Sequence, residues 1–119
     1  MVERLKARRD FRAAANGQKA ARRAFVLEAR DRGDDGPPRF GFTVSKRVAA
    51  KAVERNRIRR RLKEAVRLLA PRDAACGYDY VIVARRAALH EPFADLAATL
   101  HKAMSRMRGN ARGAVRSEA

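Results

Sequence analysis

The sequence predicts an α+β fold, an α/β sandwich whose elements run helix, two or more strands, helix, strand, helix. Three observations predict it: the alternation in "RFGFTVSKRV", helical periodicity over residues 58–69 and again over 93–107, and an unbroken apolar run in "YDYVIVARR". At 119 residues the chain has room for one domain with a modest core, and residues 1–107 carry its pattern.

The first element is "RRDFRAAANGQ", a short helix in which Asp10 can cap the first turn and Phe11 is the one large apolar side chain. Asn16-Gly17 suits its end. In "AFVLEAR", Phe25 and Leu27 fall on one side and Val26 and Glu28 on the other, as in a strand with one covered face. "DRGDDGPPR" breaks that strand with Gly and Pro. In the next strand Phe40, Phe42 and Val44 point one way and Gly41, Thr43 and Ser45 the other, and its direction is expected to be antiparallel to the first.

A long helix comes next, for which Pro71 is the expected stop. "YDYVIVARR" has apolar residues on both faces and suits the middle of a sheet. Pro92 can open the last helix, whose Phe93, Leu96, Ala97, Leu100, Met104 and Met107 form a stripe that should pack on the sheet. From Arg108 the periodicity stops, so residues 108–119 read as a basic, disordered tail.

Charge narrows the function. Lys plus Arg number 29 against 13 Asp plus Glu, a formal net charge of +16 and a pI near 11.6, which selects a polyanionic partner and above all nucleic acid. No apolar run approaches the roughly 20 residues of a bilayer span, and the N-terminal residues do not read as a secretory signal; a soluble, cytoplasmic protein with no membrane partner is the expectation. Cys76 is the sole cysteine, which excludes an intrachain disulfide and predicts a small buried thiol.

The charge concentrates in "ERNRIRRRLKEAVR", where six of the nine residues from Arg55 to Lys63 are Arg or Lys. At 100° per residue Ile58, Leu62, Ala65 and Leu69 share a narrow arc that must face the core, with Val66 at its edge. Opposite lie Asn56, Arg60, Lys63 and Arg67. Arg55 and Arg59 flank this stripe, and Arg57 and Arg61 flank the core arc. A merely solvated face would mix signs into pairs four residues apart, each contributing about 0.2–0.5 kcal/mol, yet within this stretch Glu64 is the only acid after Glu54. Phosphates account for the single sign better, because the planar Arg fork meets a phosphate with two parallel hydrogen bonds. Asn56 offers an amide able to read a base edge or to face a hydrated metal, with a local backbone bond as the plainer role.

"FGFTVSKR", "ERNRIRRRLKEAVR" and "YDYVIVARR", in this order and spacing, resemble the protein subunit of bacterial ribonuclease P over most of the chain, from Phe11 to about Met107. Arg55-Asn56-Arg57 matches that family's Arg-Asn-Arg signature. The resemblance implies a four-stranded mixed sheet with three helices, the signature helix joining two parallel strands by a left-handed crossover; unaided, a right-handed crossover is the rule. It further implies that the chain assists RNA-catalysed hydrolysis generating the 5′ end of transfer RNA, with the active site in the RNA and none in this chain.

On that resemblance Arg55, Asn56, Arg57, Arg60 and Lys63 face the ribonuclease P RNA, and the stripe adds Arg59, Arg61 and Arg67. Asn56 corresponds to a position associated with metal, Mg2+ being held mainly by the RNA. A cleft beside the first helix would take the 5′ leader of precursor transfer RNA, with Phe11, Ser45, Lys46 and Arg47 as its candidate residues and one protein per RNA. Ala15 and Glu28 stand where relatives often carry aromatics, which favours contacts to the leader backbone over stacking.

Two other functions compete. A structural RNA-binding protein of the ribosomal kind shares the charge and the arginine helix and lacks the linked signatures. An autonomous nuclease needs a metal cluster or a positioned base, and His90, His101 and Asp79 occur without partners at catalytic spacing.

Overall fold

The computed structural model describes the backbone of residues 3–118 and the side chains of 3–70 and 73–107. The elements are β1 (Glu3–Arg4), α1 (Arg8–Ala15), β2 (Gln18–Ala21), β3 (Phe25–Asp31), β4 (Arg39–Thr43), α2 (Ala52–Asp73), β5 (Tyr78–Ala84), a 3-10 turn (Arg86–Leu89) and α3 (Phe93–Glu118). The strands form one sheet in the order β1-β4-β5-β3-β2, five where four were expected. β4 and β5 are parallel neighbours joined through α2, β3 runs antiparallel to β5, and so β3 and β4 oppose each other with β5 between them.

β5 is the central strand because its residues are apolar on both faces. Tyr80 and Ile82 join Phe25, Leu27 and Phe40 in the large core under α2 and α3, where the Phe40 and Tyr80 rings stack at 4.9 Å. Val81 turns to the opposite face, where it meets Leu5 and Ala14, with Phe11 and Val83 alongside. α1 thus lies on one side of the sheet and α2 and α3 on the other. Gly41 makes the α1 side possible: a Cβ at that position would stand 2.5 Å from the Phe11 ring, so only glycine lets the ring rest on β4.

Asp79, on β5, is fully buried and tied to two arginines. Arg39 donates to both its carboxylate oxygens at 2.7 Å, and Arg32 donates to Oδ1 at 2.7 Å. Burial alone would push this carboxyl up; the hydrogen bonds from Arg39 and Arg32 outweigh it and hold the group below the usual carboxylate range. Arg39 and Arg30 also reach Asp10 at 3.6 and 3.9 Å, so the residue expected to cap α1 instead ties that helix to the sheet. Ala7 occupies the cap position with no side-chain bond.

Other expectations are corrected by tertiary contacts. α2 continues past Pro71 to Asp73, because the turn beyond the proline is closed by the Ala74 N–H donating to Ala70 and braced by Asp73 against His101 Nδ1 at 2.7 Å. α3 runs on to Glu118, where a disordered tail was expected. The apolar stripe ends at Met107, but no proline comes after it, and extending a nucleated helix costs little compared with starting one. Residues 1, 2 and 119 of the expected domain and tail lie outside the described residues. Cys76 is exposed and not buried, since it sits in the turn before Gly77, whose φ of 78° and close approach to the Asp34 carbonyl fix that turn.

Candidate nucleic-acid interface

The core arc of α2 falls where the periodicity places it: Ile58, Leu62 and Ala65 are fully buried, Val66 and Leu69 nearly so. Their burial fixes the rotation of the helix and therefore what faces water. Arg57, Arg60 and Lys63 are exposed and make no hydrogen bond or ion pair with any described residue. An exposed cation without a partner on a rigid helix can meet an anion such as a phosphate without first giving up a bond within the fold.

The remaining arginines of the segment are partly engaged. Arg55 donates to the carbonyls of Ala49 and Ala50 at 3.0 and 2.8 Å, so it fastens the approach to α2. Arg59 donates to Asn56 Oδ1 at 3.2 Å. Arg67 holds Glu64 at 2.6 Å, and that hydrogen bond lowers the Glu64 carboxyl below its usual range. Arg61 is turned inward: its guanidinium donates to the carbonyl of Ala88 at 2.5 Å and to that of Glu91, joining α2 to the segment before α3. Its position beside the core arc was the available signal for this role. Arg61→Ala should accordingly lower stability by about 1–2 kcal/mol while leaving the salt dependence of RNA binding unchanged, as thermal unfolding and a salt titration would show.

Because β4 and β5 are parallel, the segments that leave their C-terminal ends gather at one end of the sheet, beside the start of α2. Ser45, Lys46 and Arg47 are exposed there, with Ser45 Oγ accepting from the Val48 N–H at 3.2 Å. Arg85 and Arg86, which sequence reasoning passed over as site residues, emerge at the same end in the "ARR" that closes β5. Arg86 donates to Glu54 Oε1 at 3.0 Å, which keeps that carboxyl low, and Arg85 projects into solvent. Phe11 is half-buried, its ring resting over Gly41.

Whether these residues suit a metal is decided by Asn56. Its carbonyl oxygen already accepts from Arg59, Arg55 and Arg57 flank it, and no group of three His, Cys, Asp or Glu that could hold an ion occurs among the described residues. The chain on its own does not fit Mg2+ at that point, because the charges around the amide have the ion's own sign.

Beside the stripe lies a groove of about 630 Å³ between α2 and the β1–β4 edge, floored by Phe40, Phe42, Val66 and Ala70. Arg59, Lys63 and Arg67 form its α2 rim, and Phe11 and Cys76 also line it. Periodicity could not reveal this groove, which is made by two elements far apart in the chain.

A family model described as Ribonuclease P matches residues 2–108. The chain is 45% identical over 109 residues to the Ribonuclease P protein component of Brucella suis, covering 85% of this chain and 77% of the relative. It is 42% identical over 123 residues to that of Bartonella quintana, covering 92% of each. The solved ribonuclease P protein of Thermotoga maritima superposes with a TM-score of 0.74 at 28% identity, over 87% of this chain and 96% of that one.

Proposed function

The chain belongs to the ribonuclease P protein family and acts as a protein subunit of ribonuclease P; from that premise we propose that α2 binds the catalytic RNA and that the α1 side of the sheet binds the precursor's 5′ leader. The observation that carries the first part is the row of cations at Arg57, Arg60 and Lys63, exposed and without partners among the described residues. Their charge screens RNA phosphates that would otherwise repel one another, so the RNA reaches its active fold with less Mg2+. The metal ions stay on RNA phosphates, since Asn56 is set among arginines, and hydrolysis proceeds at the RNA.

The second part rests on Phe11, a half-exposed ring resting on a glycine, and on the cationic turn at Lys46 and Arg47. A leader reaching from that turn to the ring gains phosphate contacts at one end and a flat apolar surface at the other, where stacking contributes roughly 1–3 kcal/mol per base. Mature transfer RNA has no leader and forgoes both, so the holoenzyme holds precursor more tightly than product. With Glu28 and Ala15 in place of aromatics, the phosphate contacts carry the larger share.

The test is the affinity of reconstituted holoenzyme for precursor and for mature transfer RNA. Lys46→Ala with Arg47→Ala should reduce the preference for precursor by about tenfold, and Phe11→Leu by a few-fold, while affinity for the mature product stays the same. Equal losses for precursor and product would remove the leader from this surface.

A further inference from the structure

The groove between α2 and the β1–β4 edge shares Phe11 with the leader surface and Lys63 and Arg67 with the RNA-facing stripe, but its apolar floor takes no part in the contacts assigned above. Its floor is apolar and partly aromatic, and its volume of about 630 Å³ lies in the range of about 300–1,000 Å³ typical of sites that take a small flat molecule. Its α2 rim is cationic, and Arg4 stands on the β1 side, with Glu3 the one acid among the described lining residues. Lys63 and Arg67 belong at once to this rim and to the stripe that faces the RNA.

We propose that the groove receives an unstacked nucleobase of the ribonuclease P RNA, whose flanking phosphates lie on Lys63, Arg67 and Arg59. This rests on the assignment of α2 to that RNA. Two features select this occupant. An apolar floor beneath a cationic rim complements a flat base tethered between two phosphates, whereas an apolar peptide side chain would bring no anion to that rim and leave Lys63 unmatched. The rim is also continuous with the stripe, so a strand laid along Arg60, Lys63 and Arg67 passes the mouth of the groove and can turn one base inward without leaving the helix. Lys63 has no partner among the described residues, Arg59 has its bond to Asn56 to give up, and Arg67 shares its guanidinium with Glu64. The protein then contributes one anchoring contact that depends on a base face, beside several that depend only on charge.

Filling the groove tests this. Ala74 closes α2, is half-buried and sits against the apolar core beside the groove that it lines. In the full-length protein Ala74→Trp should occupy the floor and weaken binding to ribonuclease P RNA by about tenfold, with the slope of log affinity against log salt unchanged because every cation keeps its phosphate. Ala74→Ser should bind as wild type. Cys76 supplies a measurement that does not depend on how a variant folds: in the wild-type protein, saturating ribonuclease P RNA without precursor should slow its alkylation by N-ethylmaleimide at least about tenfold.

Wild-type affinity in a folded Ala74→Trp protein would overturn the proposal, even with Cys76 protected, since the RNA would then cover the groove without entering it. An unprotected Cys76 in the saturated complex would overturn it as well. Loss of affinity for precursor transfer RNA alone would assign the groove to the leader, again against the proposal. A wild-type protein that fails to bind the RNA in the same titration would refute the assignment of α2 itself.

Discussion

Replacing Arg57 and Arg60 together with Ala is expected to weaken assembly with ribonuclease P RNA by about tenfold for each cation removed, and to flatten the salt dependence by about one unit of log-log slope for each phosphate left unneutralised. The effect is large because neither side chain has a partner among the described residues, so what it gains on binding comes from the RNA. For the same reason the folded protein should lose nothing. Relief of repulsion along α2 should leave the thermal midpoint equal to or slightly above that of the wild type. Arg61→Ala supplies the contrast, since that guanidinium is spent on the carbonyls of Ala88 and Glu91 and its loss should appear in stability and not in salt slope. If both substitutions changed the salt slope equally, the division of labour along α2 would be wrong.

The second large effect is expected at Asp79. Asp79→Ala leaves Arg32 and Arg39 facing one another without their shared carboxylate, and should destabilise the protein by about 3 kcal/mol, at the low end for a buried pair because Arg39 retains some water. On a domain of this size that is on the order of 10 °C in the unfolding midpoint. The pH dependence has a definite sign. The native carboxyl titrates below its ordinary value near 3.9, so its contribution is fully present above that pH and is lost as the pH falls through the lower native value. Denaturant unfolding of wild type and Asp79→Asn should show a constant gap from pH 7 to about 5 that narrows below about pH 4. A gap that held constant down to pH 2 would contradict the role given to this carboxylate.

Much of this protein is legible in its sequence because the physics there is periodic. Phe25 and Leu27 alternate, as do Phe40 and Phe42, Ile58, Leu62, Ala65 and Leu69 recur at helical spacing, as do Leu96, Leu100, Met104 and Met107, and the apolar run around Val81 requires cover on both faces; these patterns account for β3, β4, β5 and the packed faces of α2 and α3. The edge strands are different. "ER" in β1 and "QKAA" in β2 have no apolar pattern, and each becomes a strand only because a neighbour offers it a hydrogen-bonding edge. The stripe was likewise readable as a face, but not the division within it. Arg60 and Arg61 are neighbours of the same type, one open to solvent and the other bound to backbone carbonyls that the chain brings back from residues 88 and 91. Asp79 carried a signal that was underused: an acid in a central apolar strand must find cations, and Arg32 and Arg39 supply them from the loop before β4 and from β4 itself.

The measurement that bears most directly on the central claim is multiple-turnover cleavage of a precursor transfer RNA by ribonuclease P RNA at low Mg2+, with wild-type protein, with the Arg57→Ala, Arg60→Ala double variant, and with protein alone. Strong stimulation by the wild type is expected, with most of it gone in the double variant and no cleavage by protein alone. Full stimulation by the double variant, or cleavage in the absence of RNA, would contradict the role given to α2.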